Sequence, residues 1–282
     1  TRELSNILSR IETNPKIRSA EFNGWIDVNE EGLLEFISDT GIVPIRNFPL
    51  KNTDDHTGCI TIYEHPYQMH DNRVPHGMYV IGTDPVAMDD APWSESINSS
   101  FVLNTITNRI VAEYSGRPSS TKIYYENLRK LAKYYNALIL YENQVKGLED
   151  YFDEKNESFM LAEPPRILGT IIDFGRTNRK KGCHMSTGIK NHMIDTINNW
   201  LRDDAIDGYQ NMHFIKSETL LKELIAYTKD LNVDRVFALG MTLMLAADMR
   251  NKVEDSNSPI KLNHQKDFFN KRIFLKKPQF TL

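Results

Sequence analysis

Two short apolar runs, YVIG at 79–82 and ALILY at 137–141, each lead within two residues to an acid, Asp84 and Glu142. A run of four or five apolar residues bounded by turn-forming text has the length of a strand buried on both faces. Pro85 stops the first run directly after its acid. A chain built this way must fold around a sheet whose central strands deliver carboxylates to the edge of a core.

The remaining pattern supplies that sheet and its covering helices. GCITIYEHP at 58–66 alternates apolar and polar residues and predicts a strand ended by Pro66. SFVLNTIT and RIVAEYSG, joined at Asn108, predict an antiparallel hairpin. Helical spacing follows Pro118 at Tyr124, Leu128, Leu131 and Tyr135, with a further helix expected from Gly147. It recurs at Ile189, Met193, Ile197 and Trp200, at Leu220, Leu224 and Tyr227, and from Asp234 through Val236, Leu239, Leu243 and Ala246. HFI at 213–215 is a short strand candidate. A strand meander followed by strands alternating with helices predicts an α/β fold: a mixed sheet, three antiparallel strands plus parallel ones, flanked by helices.

Three regions are expected. Residues 1–76 open with helical spacing at Leu4, Ile7, Leu8 and Ile11, then turn to Pro44, Pro49 and KNTDDHTG, the text of a linker or N-terminal extension with an added strand. Residues 77–250 form the main domain, and 251–282 a basic tail with seven Lys/Arg against three acids. The first residue, Thr1 rather than Met, suggests a piece of something longer.

Composition, with 40% hydrophobic and 26% charged residues, argues against wholesale disorder. Cys59 and Cys183 are the only cysteines, too few for a disulfide framework or a four-cysteine zinc site, and a reducing compartment fits. Cys59 with His65, His70 and His76 matches no common zinc spacing. No apolar run nears the roughly 20 residues that span a bilayer, and no signal peptide is visible. The net charge of −4 conceals a basic stretch at 174–192, with Arg176, Arg179, Lys180, Lys181 and Lys190 and no acid. Such a stretch is either a solvated loop or a clamp on a nucleic-acid backbone, with Ser186 and Thr187 adding hydroxyls.

Asp84, Glu142 and Asp234 are the candidate site. Singly, each has a plain reading: a turn former before Pro85, the start of a polar loop, and a helix N-cap or first-turn acid. Together at strand ends facing a helix start, they repel one another until a pKa rises or a cation neutralises them. An all-oxygen set without His or Cys suits Mg²⁺ or Mn²⁺, and two such ions can drive phosphodiester cleavage. GCHMSTGIKN at 182–191 lacks the Gly-Lys-Ser/Thr of a phosphate loop, so no ATP site is expected.

YVIGTDP, the hairpin, YYNALILYEN and NVDRVFALGM, with MSTGIKNHMIDTINNWL and SETLLKEL between them, resemble the nuclease domain of viral (tailed bacteriophage) large terminase subunits. The resemblance spans about residues 77–250 and implies a ribonuclease H-like fold. It implies catalytic, metal-binding roles for Asp84, Glu142 and Asp234, and cleavage of concatemeric double-stranded DNA during genome packaging in the host cell cytoplasm. Implied partners are double-stranded DNA, an ATPase motor domain not in this chain, a small terminase subunit and a portal or procapsid, with no membrane. The loop from Pro85 to Ser99, with Asp89, Asp90, Trp93 and Glu95, is longer and more acidic than the pattern, so a neighbouring acid can stand in as ligand. Two alternatives stay open: another ribonuclease H-like nuclease of resolvase or integrase type, and a non-catalytic portal or procapsid docking module.

Overall fold

The computed structural model describes residues 2–14, 16, 21–51, 53–86, 96–144, 147–170, 181–205, 208–228 and 231–257. Asp89, Asp90, Arg176, Arg179, Lys180 and the tail beyond residue 257 therefore lie outside the described residues.

Among the described residues a mixed sheet of seven strands forms the centre. In chain order these are β1 (Phe22–Val28), β2 (Leu34–Ser38), β3 (Cys59–Ile62), β4 (Tyr79–Asp84), β5 (Asn98–Asn104), β6 (Arg109–Gly116) and β7 (Leu138–Tyr141). They lie in the order β2-β1-β3-β6-β5-β4-β7. All neighbours are antiparallel except β4 and β7, which run parallel in the register Val80↔Leu138 to Thr83↔Tyr141. That parallel pair needs a crossover, supplied by α2 (Thr121–Tyr135). The other α-helices among the described residues are α1 (Arg2–Thr13), α3 (Gly147–Glu154), α4 (Thr187–Arg202), α5 (Glu218–Ala226) and α6 (Asp234–Asn257). No helix among the described residues is long and apolar enough to cross a membrane.

The predicted strands at 79–84 and 137–142 and the hairpin at Asn108 are present, the last turning on a left-handed Asn108 with φ 58°. Two expectations change. HFI at 213–215 is no strand: Asn211–Phe214 form a 3-10 turn closed by reciprocal hydrogen bonds between Gln210 and His213. Residues 1–76, for which the sequence predicts one added strand, contribute three, and β3 joins them to β6. The unforeseen β1–β2 hairpin turns through Asn29, whose Oδ1 accepts from the N–H groups of Glu31 and Leu33, and through Gly32 at φ 79°.

Each face of the sheet carries its own core. On one, α2 packs Tyr124, Leu128, Leu131 and Tyr135 against Ile81, Val102 and Ile139. On the other, α6 lies beneath α4, α5 and α1 and packs Val236, Leu239, Leu243 and Ala246 over Val80, Phe101 and Leu140. Gly82 sets the closeness of that second contact. A Cβ there would come within 2.0 Å of Thr242 N and 2.5 Å of Ala238 O. Instead the Gly82 N–H donates to Thr242 Oγ1 at 3.1 Å. Gly77 lies against Met249 further along the helix, so α6 runs antiparallel to β4 and its N-terminus arrives at the Asp84 end.

Candidate functional site

Alternation along β4 points Ile81 and Thr83 toward α2 and Gly82 and Asp84 toward α6. A hydroxyl network on the α2 side holds this strand end. Thr83 Oγ1 donates to Ser99 O at 2.9 Å, Ser100 Oγ donates to Thr83 Oγ1 at 2.8 Å, and the Tyr124 hydroxyl bonds both side chains. Just past Asp84, the Val86 N–H donates to Asn98 Oδ1 at 2.8 Å. Asp84 thus terminates a strand fixed from below and from both sides.

Glu142 follows β7, the parallel neighbour of β4, and bridges to Cys183, with the Cys183 N–H donating to Tyr141 O at 2.8 Å. This contact brings the end of the basic stretch alongside: the charges of Lys190 and His184 both act on the Glu142 carboxylate. Lys190 Nζ also lies 5.3 Å from the centre of the Phe237 ring.

Asp234 is the first residue of α6, but it does not cap it. The N–H groups of Arg235 and Val236 donate to Glu223 Oε2 at 2.9 and 3.2 Å, so a carboxylate from α5 caps the helix. Glu223 also pairs with Arg235 at 2.9 Å in full burial. Asp234 instead accepts the Ile97 N–H at 2.8 Å and the Asn232 amide at 3.3 Å, both on Oδ2. It ties the start of β5 to the start of α6.

The three carboxyls sense one another. Burial lifts Asp84 well above the ordinary carboxylate range, and repulsion from Asp234 and Glu142, a hydrogen bond shared with Glu142, and repulsion from Glu223 add to it. Glu142 is raised by burial, against the opposing pull of Lys190, the Asp84 hydrogen bond and His184. Burial pushes Asp234 up to about 7, opposed first by the Ile97 N–H and raised further by Glu223.

The donor chemistry suits a hard divalent cation: the donors are all oxygen, and their repulsion is what such an ion relieves. As they stand, the three carboxyls do not close into a metal site: among the described residues no group of three His, Cys, Asp or Glu is placed to hold a metal ion. Asp84 links the other two, sharing a hydrogen bond with Glu142 and facing the charge of Asp234.

Other candidates fall elsewhere. Cys59 is buried in β3 with its thiol pushed up to about 12, and His65 packs against Phe22, Phe36 and Tyr134, so the Cys/His set forms no metal cluster. Ser186, considered for phosphate contact, caps α4 by accepting the Ile189 N–H, and Thr187 opens that helix. The Lys181 carbonyl accepts from the Asn143 amide at 3.3 Å. Glu223 and Arg235 escape the sequence reading. The signal for Glu223 is an acid set at helical spacing from Leu220 on a helix face that also buries Glu218 and Thr219.

No family model matches the chain, and no curated protein matches it. Among solved structures, the chain is similar to the large terminase nuclease from thermophilic phage G20c. The zinc-bound form matches at 14% identity and TM-score 0.45, over 67% of this chain and 88% of that one. The magnesium-bound form matches at 13% identity and TM-score 0.45 over the same shares. The cobalt-bound form matches at 12% identity and TM-score 0.44, again over 67% and 88%. Likeness at this level concerns the course of the chain alone.

Proposed function

We propose that the protein is a metal-dependent DNA endonuclease of the terminase type, with Asp84, Glu142 and Asp234 holding the metal. The observation that supports this reading is the arrival of three carboxyls, from two adjacent strands and one helix start, at one end of the sheet, each with its pKa raised. When bound, Mg²⁺ or Mn²⁺, two ions in this reading, supplies the Lewis acidity for phosphodiester hydrolysis. The chain's own contribution is placement. The hydroxyl network fixes the end of β4, Gly82 lets α6 approach, and the Ile97 tie sets Asp234 against β5. Lys190, beside Glu142, offers a cation to a phosphate of bound duplex, and Lys181, Arg176, Arg179 and Lys180 extend that basic surface in sequence. The finer reading places this chemistry in viral genome packaging in the host cytoplasm, with an ATPase motor, small subunit and portal as partners.

Plasmid cleavage with Mn²⁺ tests the reading. Replacement Asp84→Asn is expected to lower cleavage by at least about a hundredfold, about 2.7 kcal/mol of transition-state stabilisation, without unfolding the protein. Mn²⁺ is expected to raise the melting temperature of the wild type and leave this variant unmoved. Full cleavage by the variant would sink the assignment.

The bond from Ile97 to Asp234 favours a second reading, in which the acids are structural and the domain docks on a portal or procapsid. No Mn²⁺-dependent melting shift, together with a large melting loss in Asp234→Asn, would select it.

A further inference from the structure

At the end of the sheet opposite Asp84 lies a cavity of about 370 Å³ of the reverse electrostatic character. Asn104 of β5 pairs with both Tyr79 and Arg109, so Arg109 marks the start of β4, five residues before Asp84. At about 3.4 Å per residue the two ends are roughly 17 Å apart. Ile7, Ile11, Ile110 and Ile215 contribute apolar surface to the cavity, and Tyr63, Phe214 and Tyr209 aromatic surface.

Arg10, Arg109 and Lys216 also line it, against one acid, Glu64. None of these three cations forms an ion pair among the described residues, in contrast to His213, which meets Glu3 at 3.0 Å. The Arg109 guanidinium lies 3.8 Å over the Phe214 ring, and its Nε is buried without a hydrogen-bond acceptor. That Nε is sealed from solvent, so what an anion in the cavity would answer is the guanidinium charge, which no carboxylate among the described residues neutralises. Tyr209 touches the rings of His213 and Phe214 yet remains 54% exposed, an aromatic surface open at the rim.

Unpaired cations beside open aromatic rings fit a ligand with a phosphate and a flat, weakly polar body. We infer that this cavity binds a nucleotide, its phosphate on Arg109, Lys216 and Arg10 and its base against the Tyr209 side. The source is either a free nucleotide or one unstacked nucleotide of a strand. The inference does not depend on cleavage chemistry at the other end of the sheet.

Calorimetric titration of the full chain in EDTA, with deoxyadenosine monophosphate, deoxyadenosine, inorganic phosphate and a single-stranded hexanucleotide, tests it. The mononucleotide is expected to bind one per chain, at least about tenfold more tightly than nucleoside or phosphate. Binding of the hexanucleotide with the mononucleotide silent would assign the site to a strand. In either case Arg109→Ala and Lys216→Glu are expected to weaken binding about tenfold or more, and Asp84→Asn to leave it unchanged. Arg10→Glu, at an exposed helix position where folding is not at risk, is expected to weaken it as well. Absence of binding by both nucleotide and strand, phosphate binding as tightly as the nucleotide, or unchanged binding in Arg109→Ala and Arg10→Glu would each overturn the inference.

Discussion

On the α2 side of the sheet, charges stand at the surface and every one in the main network has a partner. Arg129 bonds Glu126 at 2.7 Å and Glu157 at 2.9 Å, Lys133 bonds Glu157 at 2.9 Å, and the Tyr151 hydroxyl donates to Glu126 at 2.7 Å. Hydrogen bonding from Arg129 pulls Glu126 down to about 2. On the α6 side the carboxyls are sunk into the core, and burial raises Asp84, Asp234, Glu223 and Glu113 alike. One Glu113 oxygen there has no hydrogen-bond partner among the described residues. The α2 face places charge where water and partners keep its cost small. The α6 face retains charge where it opposes folding, the arrangement that the proposed site calls for.

The largest expected effect on stability comes from Glu223. Replacement by Ala strips the cap of α6 and leaves Arg235 buried and unpaired, so a loss of about 3–5 kcal/mol is expected in urea unfolding. Loss below about 1 kcal/mol would mean the α6 side does not depend on this pair. Gly82→Ala drives a methyl into the backbone of α6 and is expected to cost about 1–3 kcal/mol or more. It should also widen the Asp84–Asp234 approach, so cleavage falls further than stability alone accounts for, compared at a temperature where both proteins are folded.

Asp84→Asn should move stability the other way. It removes a repelled acid, and without metal at pH 8 a gain of about 1 kcal/mol is expected, read as a higher melting temperature. A fall instead would erase the contrast between the faces. The smallest effect belongs to the α2 face. The folded pKa of Glu126 lies below its ordinary value of 4.5, so its contribution is complete above about pH 4.5 and is lost as pH falls toward 2. With partial exposure screening the pair, Glu126→Gln should lower stability at pH 7 by about 1 kcal/mol and flatten the profile across that window.

The contrast also explains what the sequence makes legible. β4 and β7 are buried on both faces, so their apolar runs and terminal acids stand out as text. β1 and β2 leave Phe22, Val28 and Ile37 exposed and bury one large apolar side chain deeply, Ile26 between Trp25 and Asp27, so no apolar alternation marks them. HFI offers three apolar-leaning residues, too few to separate a strand from one tight turn. Asp84 and Glu142 are readable because a strand end fixes where its last residue sits. Glu223 is not, because an acid among leucines on a helix signals burial only once the neighbouring helix start is known to need a cap.

The joining of β3 to β6 has a consequence for dissection of the chain. Cys59–Ile62 cover the outer edge of β6 from Ala112 to Ser115, a stretch with almost no exposed surface. A protein cut after residue 76 would bare those unpaired N–H and C=O groups along a flat, apolar edge. Such an edge recruits a second copy, so the trimmed molecule would self-associate strand to strand long before its core melted.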